Sequence, residues 1–107
     1  MDLAVEVYKI IPFLPSNERY GLIDQIRRSA VSVPSNIAEG AGRNSNKEFS
    51  HFIGISNGSA NELFSQLLLT YRVGMIEEDK IIPNLELIKE IKKMNYSLKN
   101  KLIINKV

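Results

Sequence analysis

The residues with the most chemistry in this 107-residue chain are its cations. Arg27 and Arg28 open the stretch "RRSAVSVPSNIAEGAGR" and Arg43 closes it. A guanidinium is a planar fork of donors that can hold two phosphate oxygens at once, so such a set suits a polyanion backbone. A second set is Lys89, Lys93 and Tyr96, which share a helix face with Asn100: ammonium groups for phosphates and a ring on which a base can stack. Each set also has a plainer use. Asp24 precedes Arg28 by four residues and Glu39 precedes Arg43 by four, the orientation that favours surface pairing on a helix, which leaves Arg27 the freest by spacing. Glu86 and Glu90 dilute the lysines, and a solvated helix face is the more common explanation for them.

Catalytic chemistry finds little support. Metal ligation needs several His or Cys ligands and a hydrolase needs a base beside its nucleophile. The chain has one histidine, His51, on the polar side of its helix, and no cysteine. Ser50 is adjacent in sequence and therefore points elsewhere on a helix. Gly40-Ala41-Gly42 does not make a dinucleotide fingerprint, because it follows a helix rather than a strand and Ser45 stands where the third glycine belongs. A Walker loop would need Gly-Lys-Ser or Gly-Lys-Thr, which is absent. The expectation is a protein that is not an enzyme and carries no cofactor and no metal.

These side chains need elements to hold them. Residues 1–107 make one domain, and 44% hydrophobic with 24% charged residues is the balance of a soluble globular chain. Lack of cysteine, of a basic apolar leader and of a membrane-length apolar run points to the cytoplasm. The sequons at Asn57-Gly58-Ser59 and Asn95-Tyr96-Ser97 then read as chance matches. Net charge is +2, but residues 85–107 carry six lysines (Lys89, Lys92, Lys93, Lys99, Lys101 and Lys106) against Glu86 and Glu90, so basic character gathers at the C-terminal end.

Apolar spacing of three and four residues predicts helices throughout and no strand. A first helix runs from about Asp2 to Ile11, showing Leu3, Val7 and Ile10, until Pro12 and Pro15 remove backbone donors. Ser16 reads as the next N-cap, with Glu18 in the first turn. Helix two aligns Ile23, Ile26, Ala30, Val33 and Ile37, and Gly40 and Gly42 are its expected stop. Pro34 leaves the Ala30 carbonyl without its helical partner, which predicts a kink or a bound water. Ser45-Asn46-Lys47-Glu48 is a capping box opening helix three, whose core stripe is Phe49, Ile53, Ser56, Ala60, Leu63 and Leu67, with Gly74 closing it. "EEDK" starts the fourth element, with Leu85, Ile88, Ile91, Met94, Leu98 and Leu102 toward the core, although Pro83 blurs its beginning. Short connections make an all-α, antiparallel up-down four-helix bundle with a short first helix, in a rod of roughly 40 Å.

Two helices have more apolar circumference than one bundle core can cover. Val31, Pro34 and Ala38 form a second, small face on helix two, and "GISNGSA" from Gly54 to Ala60 offers helix three the same close approach. Leu67, Leu68, Leu69, Tyr71, Val73, Met75 and Ile76 cannot all point inward. The expectation is self-association, with Val31, Pro34, Ala38, Leu68, Leu69 and Val73 in the oligomer interface.

At these residues a family likeness emerges. "ERYGLIDQIRRSAVSVPSNIAEGAGR" followed by "KEFSHFIGISNGSANEL" resembles the four-helix bundle proteins encoded in 23S rRNA intervening sequences, a family related to the accessory proteins of diversity-generating retroelements. Its specific parts are Gln25-Ile26-Arg27-Arg28, Ser32 to Gly40, Arg43, and Gly58-Ser59 with Glu62. The resemblance implies a bacterial four-helix bundle that forms a homo-oligomeric ring, typically a homopentamer, binds nucleic acid and has no catalytic activity. Ser29, where the family more often has alanine, is a minor departure. The larger one is that the family's first helix usually begins earlier, so either the start is truncated or the ring is built with a shorter first helix. Two functions are therefore expected in competition. One is RNA or DNA backbone binding through Arg27, Arg28, Arg43, Lys89, Lys93 and Tyr96, repeated around a homo-oligomer. The other is a protein-interaction or scaffolding module with a partner protein and no nucleic acid. Neither involves a membrane.

Overall fold

The computed structural model describes residues 1–15 and 21–104; the expected cap at Ser16 with Glu18, and Lys106, lie outside them. Four helices account for nearly all of the described chain: α1 Asp2–Ile10, α2 Leu22–Ala41, α3 Asn46–Arg72 and α4 Glu78–Ile104. No strand occurs among the described residues. At 49 × 23 × 18 Å the molecule is a rod, and at 1.5 Å per residue the 27-residue α3 and α4 run most of its length. Each helix packs on its neighbours in sequence, and α1 also meets α4, which closes a square with α2 diagonal to α4. This is the expected all-α, antiparallel up-down bundle.

The helix ends follow local chemistry. Pro12 tightens the end of α1 into a 3₁₀ turn over Ile11–Phe13, one residue earlier than the expected helix boundary. Ser45 Oγ accepts the Glu48 N–H at 3.1 Å, the first half of the expected capping box. Gly74 closes α3 with φ +80°, a left-handed conformation that side chains resist. The helix α4 begins at Glu78 and runs through Pro83, and α2 runs through Pro34. A proline near a helix start costs little because the first turn lacks intrahelical N–H partners. Pro83, the sixth residue of α4, and Pro34, in mid-helix, both lie past that first turn, so each deprives the carbonyl four residues before it, Asp79 or Ala30, of its helical amide.

The core contains Leu3, Val7 and Ile10 of α1, Ile23, Ile26, Ala30 and Val33 of α2, Ile53, Ala60, Leu63 and Leu67 of α3, and Ile81 and Ile88 of α4. One expected core residue is misplaced. Met94 is 63% exposed, and its neighbour Asn95 is buried instead. Asn95 Nδ2 donates to Ser56 Oγ at 3.2 Å and to Asn57 Oδ1 at 3.0 Å, while Ser56 Oγ donates to the Val33 carbonyl at 2.9 Å. With both amide protons placed, burying the asparagine no longer carries the penalty of an unpaired polar group, and helix geometry rather than polarity decides which residue turns inward.

Ile37, Phe49, Leu85, Ile91, Leu98 and Leu102 are only partly buried. The nine residues of α1 cover about 14 Å of a rod three times longer. Lys80 Nζ sits 4.5 Å over the Phe13 ring, which fixes the end of α1 beside the start of α4. The far halves of α2, α3 and α4 therefore have no α1 beside them, which leaves Ile37, Phe49, Ile91, Leu98 and Leu102 half covered; it does not account for Leu85, in the first half of α4.

Gly40 corrects another expectation. It is buried inside α2, and a Cβ there would lie 2.7 Å from Phe52 Cβ and 2.9 Å from Phe49 Cδ1. The residue lets α3 approach rather than stopping the helix. Gly42, at the C-cap, has an ordinary right-handed conformation (φ −80°, ψ −5°). Two serines of α3 contact α2 directly: Ser59 Oγ lies 2.7 Å from Ser32 Oγ and Ser56 bonds the Val33 carbonyl. Gly58 has open space where its Cβ would be, and Gly54 faces Lys99 Nζ at 3.1 Å, so neither glycine mediates the α2–α3 approach.

Candidate functional site

The antiparallel pairing of α3 and α4 builds the most chemically loaded surface. Asn57 bonds Asn95, Phe64 lies 5.9 Å beneath Lys89 Nζ, and Gly54 faces Lys99, so α4 numbers fall as α3 numbers rise. Between the two helices lies an open groove of about 640 Å³, lined by Asn57 of α3 and by Lys89, Lys92, Lys93, Tyr96 and Ser97 of α4. Its size falls within the range of ligand pockets, about 300–1,000 Å³. Lys89, Lys92, Lys93 and Tyr96 recur at three- and four-residue spacing, so one helical face carries them all. Among the described residues no carboxylate lines the groove.

The expected trio Lys89, Lys93 and Tyr96 is thus brought together, and Tyr96 is 66% exposed. Asn100 is exposed but does not line the groove. Lys89 is partly engaged elsewhere, its Nζ 3.9 Å from Glu86 Oε1 on an exposed surface where such a pair contributes little. Sequence reasoning missed Lys92, Asn57 and Ser97. Lys92 is half-buried, turned further toward the bundle than the exposed Lys93, and Asn57 joins only because of where α3 meets α4.

The arginines form no common site with the lysines, since Arg27 and Arg28 lie on α2, diagonal to α4, and Arg43 lies beyond the end of α2. Their pairing differs from expectation. Asp24 Oδ1 lies 3.6 Å from Arg27 Nη1, an i,i+3 pair, so Arg27 rather than Arg28 is the arginine beside this acid. The i,i+3 geometry competes with i,i+4 on any helix, and here it prevails. Arg43 donates to Glu39 as expected and also covers the Phe52 ring, 5.0 Å from its centroid. Phe52 in turn meets the exposed His51 ring edge-on at 5.5 Å.

The residues expected to bind a second copy lie at the surface in differing degrees. Val31, Ala38, Leu69 and Val73 are exposed, whereas Pro34 and Leu68 are half-buried. Leu69 and Val73 stand one turn apart at the end of α3, at 48% and 56% exposure. Among the described residues no group of three or more acidic or histidine side chains is arranged to hold a metal, and no helix is long and apolar enough to cross a membrane.

A family model described as 23S rRNA-intervening sequence protein matches residues 1–97. The structure is similar to the crystal structure of a protein with unknown function from the S23 ribosomal protein family of Bacteroides thetaiotaomicron, with 26% sequence identity, a TM-score of 0.84 and 92% of each chain covered. Among curated proteins none matches.

Proposed function

The chain belongs to the 23S rRNA-intervening sequence protein family, and from that premise we propose that it is a non-enzymatic, self-assembling bundle that binds RNA or DNA backbone in the cytoplasm. The observation that carries this reading is the α3–α4 groove, where three lysines and an exposed tyrosine share one concave surface with no carboxylate lining it among the described residues. Lysine neutralises phosphate charge and releases condensed counterions, a source of affinity that needs no base sequence. Arg27 and Arg28 on α2, and Arg43 just beyond its end, form a separate basic set. Assembly of copies into a ring, a pentamer as the family likeness implies, would repeat each modest patch and convert weak contacts into avidity.

A second reading is favoured by Leu69 and Val73, whose exposed apolar pair could dock a partner protein instead. Salt separates the two. Fluorescence titration of a structured RNA and of a DNA duplex at two salt concentrations is expected to show steep weakening as salt rises. Lys93→Ala and Arg28→Ala should each flatten the logarithmic salt slope by roughly 0.9 for every duplex phosphate the variant no longer neutralises. Arg27→Ala should have the smaller effect, because Asp24 already offsets its charge. Absence of binding to either probe at low salt would leave the protein-docking reading in its place.

A further inference from the structure

The geometry points to a more specific occupant for the α3–α4 groove, resting on the nucleic-acid reading above: an unpaired nucleotide, its base stacked on Tyr96 and its flanking phosphates on Lys92 and Lys93. Three features argue for a single strand over a duplex. Tyr96 presents its ring at the groove, and among the described residues no other ring packs on it; stacking on it requires a base face that a duplex keeps covered. The groove is concave and bounded by two helices, so it admits a splayed base more readily than the broad convex backbone of a double helix. The third feature is Asn57. Its Oδ1 accepts from Asn95, which is itself anchored on Ser56 and through it on the Val33 carbonyl. That chain, part-buried at Asn57, occupies the amide oxygen of this groove-lining residue, so the group it has to offer the acceptor edge of a base is its NH₂ donor. The site thus combines a stacking platform, fixed polar recognition and phosphate charge, the parts from which sequence-tolerant single-strand binding is built.

The test compares a short fluorescein-labelled single-stranded RNA, the single-stranded DNA of the same sequence, and the RNA annealed to its complement, by anisotropy at low salt. The single strand of the preferred sugar is expected to bind more tightly than the duplex. Tyr96→Leu should weaken its binding about tenfold with the salt slope unchanged, while Tyr96→Phe retains it. Lys93→Ala should instead flatten the slope by roughly 0.7 for every single-strand phosphate left without its cation. Since Tyr96 is largely exposed, these variants leave the fold intact, which circular dichroism checks. If Tyr96→Leu binds like the parent, or the duplex binds as well as the single strand, while the lysine variant still weakens binding, the nucleotide seat is refuted and backbone binding stands. If neither strand nor duplex binds at low salt, both readings fall. Equal competition by poly-glutamate would also refute the seat, since it would show a surface selective for negative charge alone.

Discussion

Gly40→Leu is expected to lower the unfolding free energy by about 3 kcal/mol, at the upper end of the usual penalty for overpacking. Even a methyl group meets Phe52 Cβ at 2.7 Å and the Phe49 carbonyl oxygen at 3.3 Å. Neither atom is the far end of a flexible side chain, so α2 and α3 must separate to admit it. Gly40→Ala should therefore also destabilise, despite the roughly 1 kcal/mol that alanine gains over glycine in a helix interior. The control is Gly42→Ala, where the new Cβ meets nothing nearer than the Glu39 carbonyl at 3.6 Å; its stability should stay near that of the parent. Thermal unfolding followed by circular dichroism reads the difference, at about 4–8 °C per kcal/mol for a domain near this size. A Gly40→Leu protein that melts with the parent would show that the α2–α3 approach is not tight.

The second large effect is on binding. Leu69→Glu combined with Val73→Glu places two carboxylates one turn apart on an exposed apolar strip at the end of α3, outside the core and away from every groove lysine. The subunit should keep its helical signature, because neither position is buried. Burying those charges against another copy would be unfavourable, so the proposed assembly should dissociate to single subunits. Nucleic-acid affinity should then fall by about 10²–10⁴, the range in which linked sites exceed single ones, although no cation has been altered. Sedimentation of the variant with titration of the same labelled strand measures both at once. An unchanged oligomer would place the interface elsewhere; a dissociated protein with unchanged affinity would show that one groove suffices.

Much of this architecture is legible in the residues because it rests on local rules. The Ser45 cap, the glycine at 74 and the spacing of Ile23, Ile26, Ala30 and Val33 each announce helix ends or buried faces without reference to the rest of the chain. What stays hidden depends on the meeting of two helices. Apolar periodicity puts Met94 in the core beside Ile91, yet Asn95 enters and Met94 does not; Ser56 and Asn57 on another helix supply the amide's partners and so remove the penalty of burying it. Gly40 reads as a terminator because helix ends favour glycine; only the position of Phe49 and Phe52 reveals it as a point of close approach. For the site, Lys89, Lys93 and Tyr96 can be grouped on one helix by periodicity alone. Lys92 and Asn57 cannot, since their place in the groove depends on which face of α3 lies beside α4. The exchange of Asp24 from Arg28 to Arg27 is subtler, a choice between two spacings that the helix permits equally.

Copies of the bundle that cover one another's exposed apolar residues, and so repeat the basic groove, are central to the proposed function. Multi-angle light scattering of the eluting protein over a range of concentrations tests this most directly. The expected mass is a multiple of the 12.1 kDa subunit, five copies if the family likeness holds in full. A mass of one subunit at every concentration would contradict it.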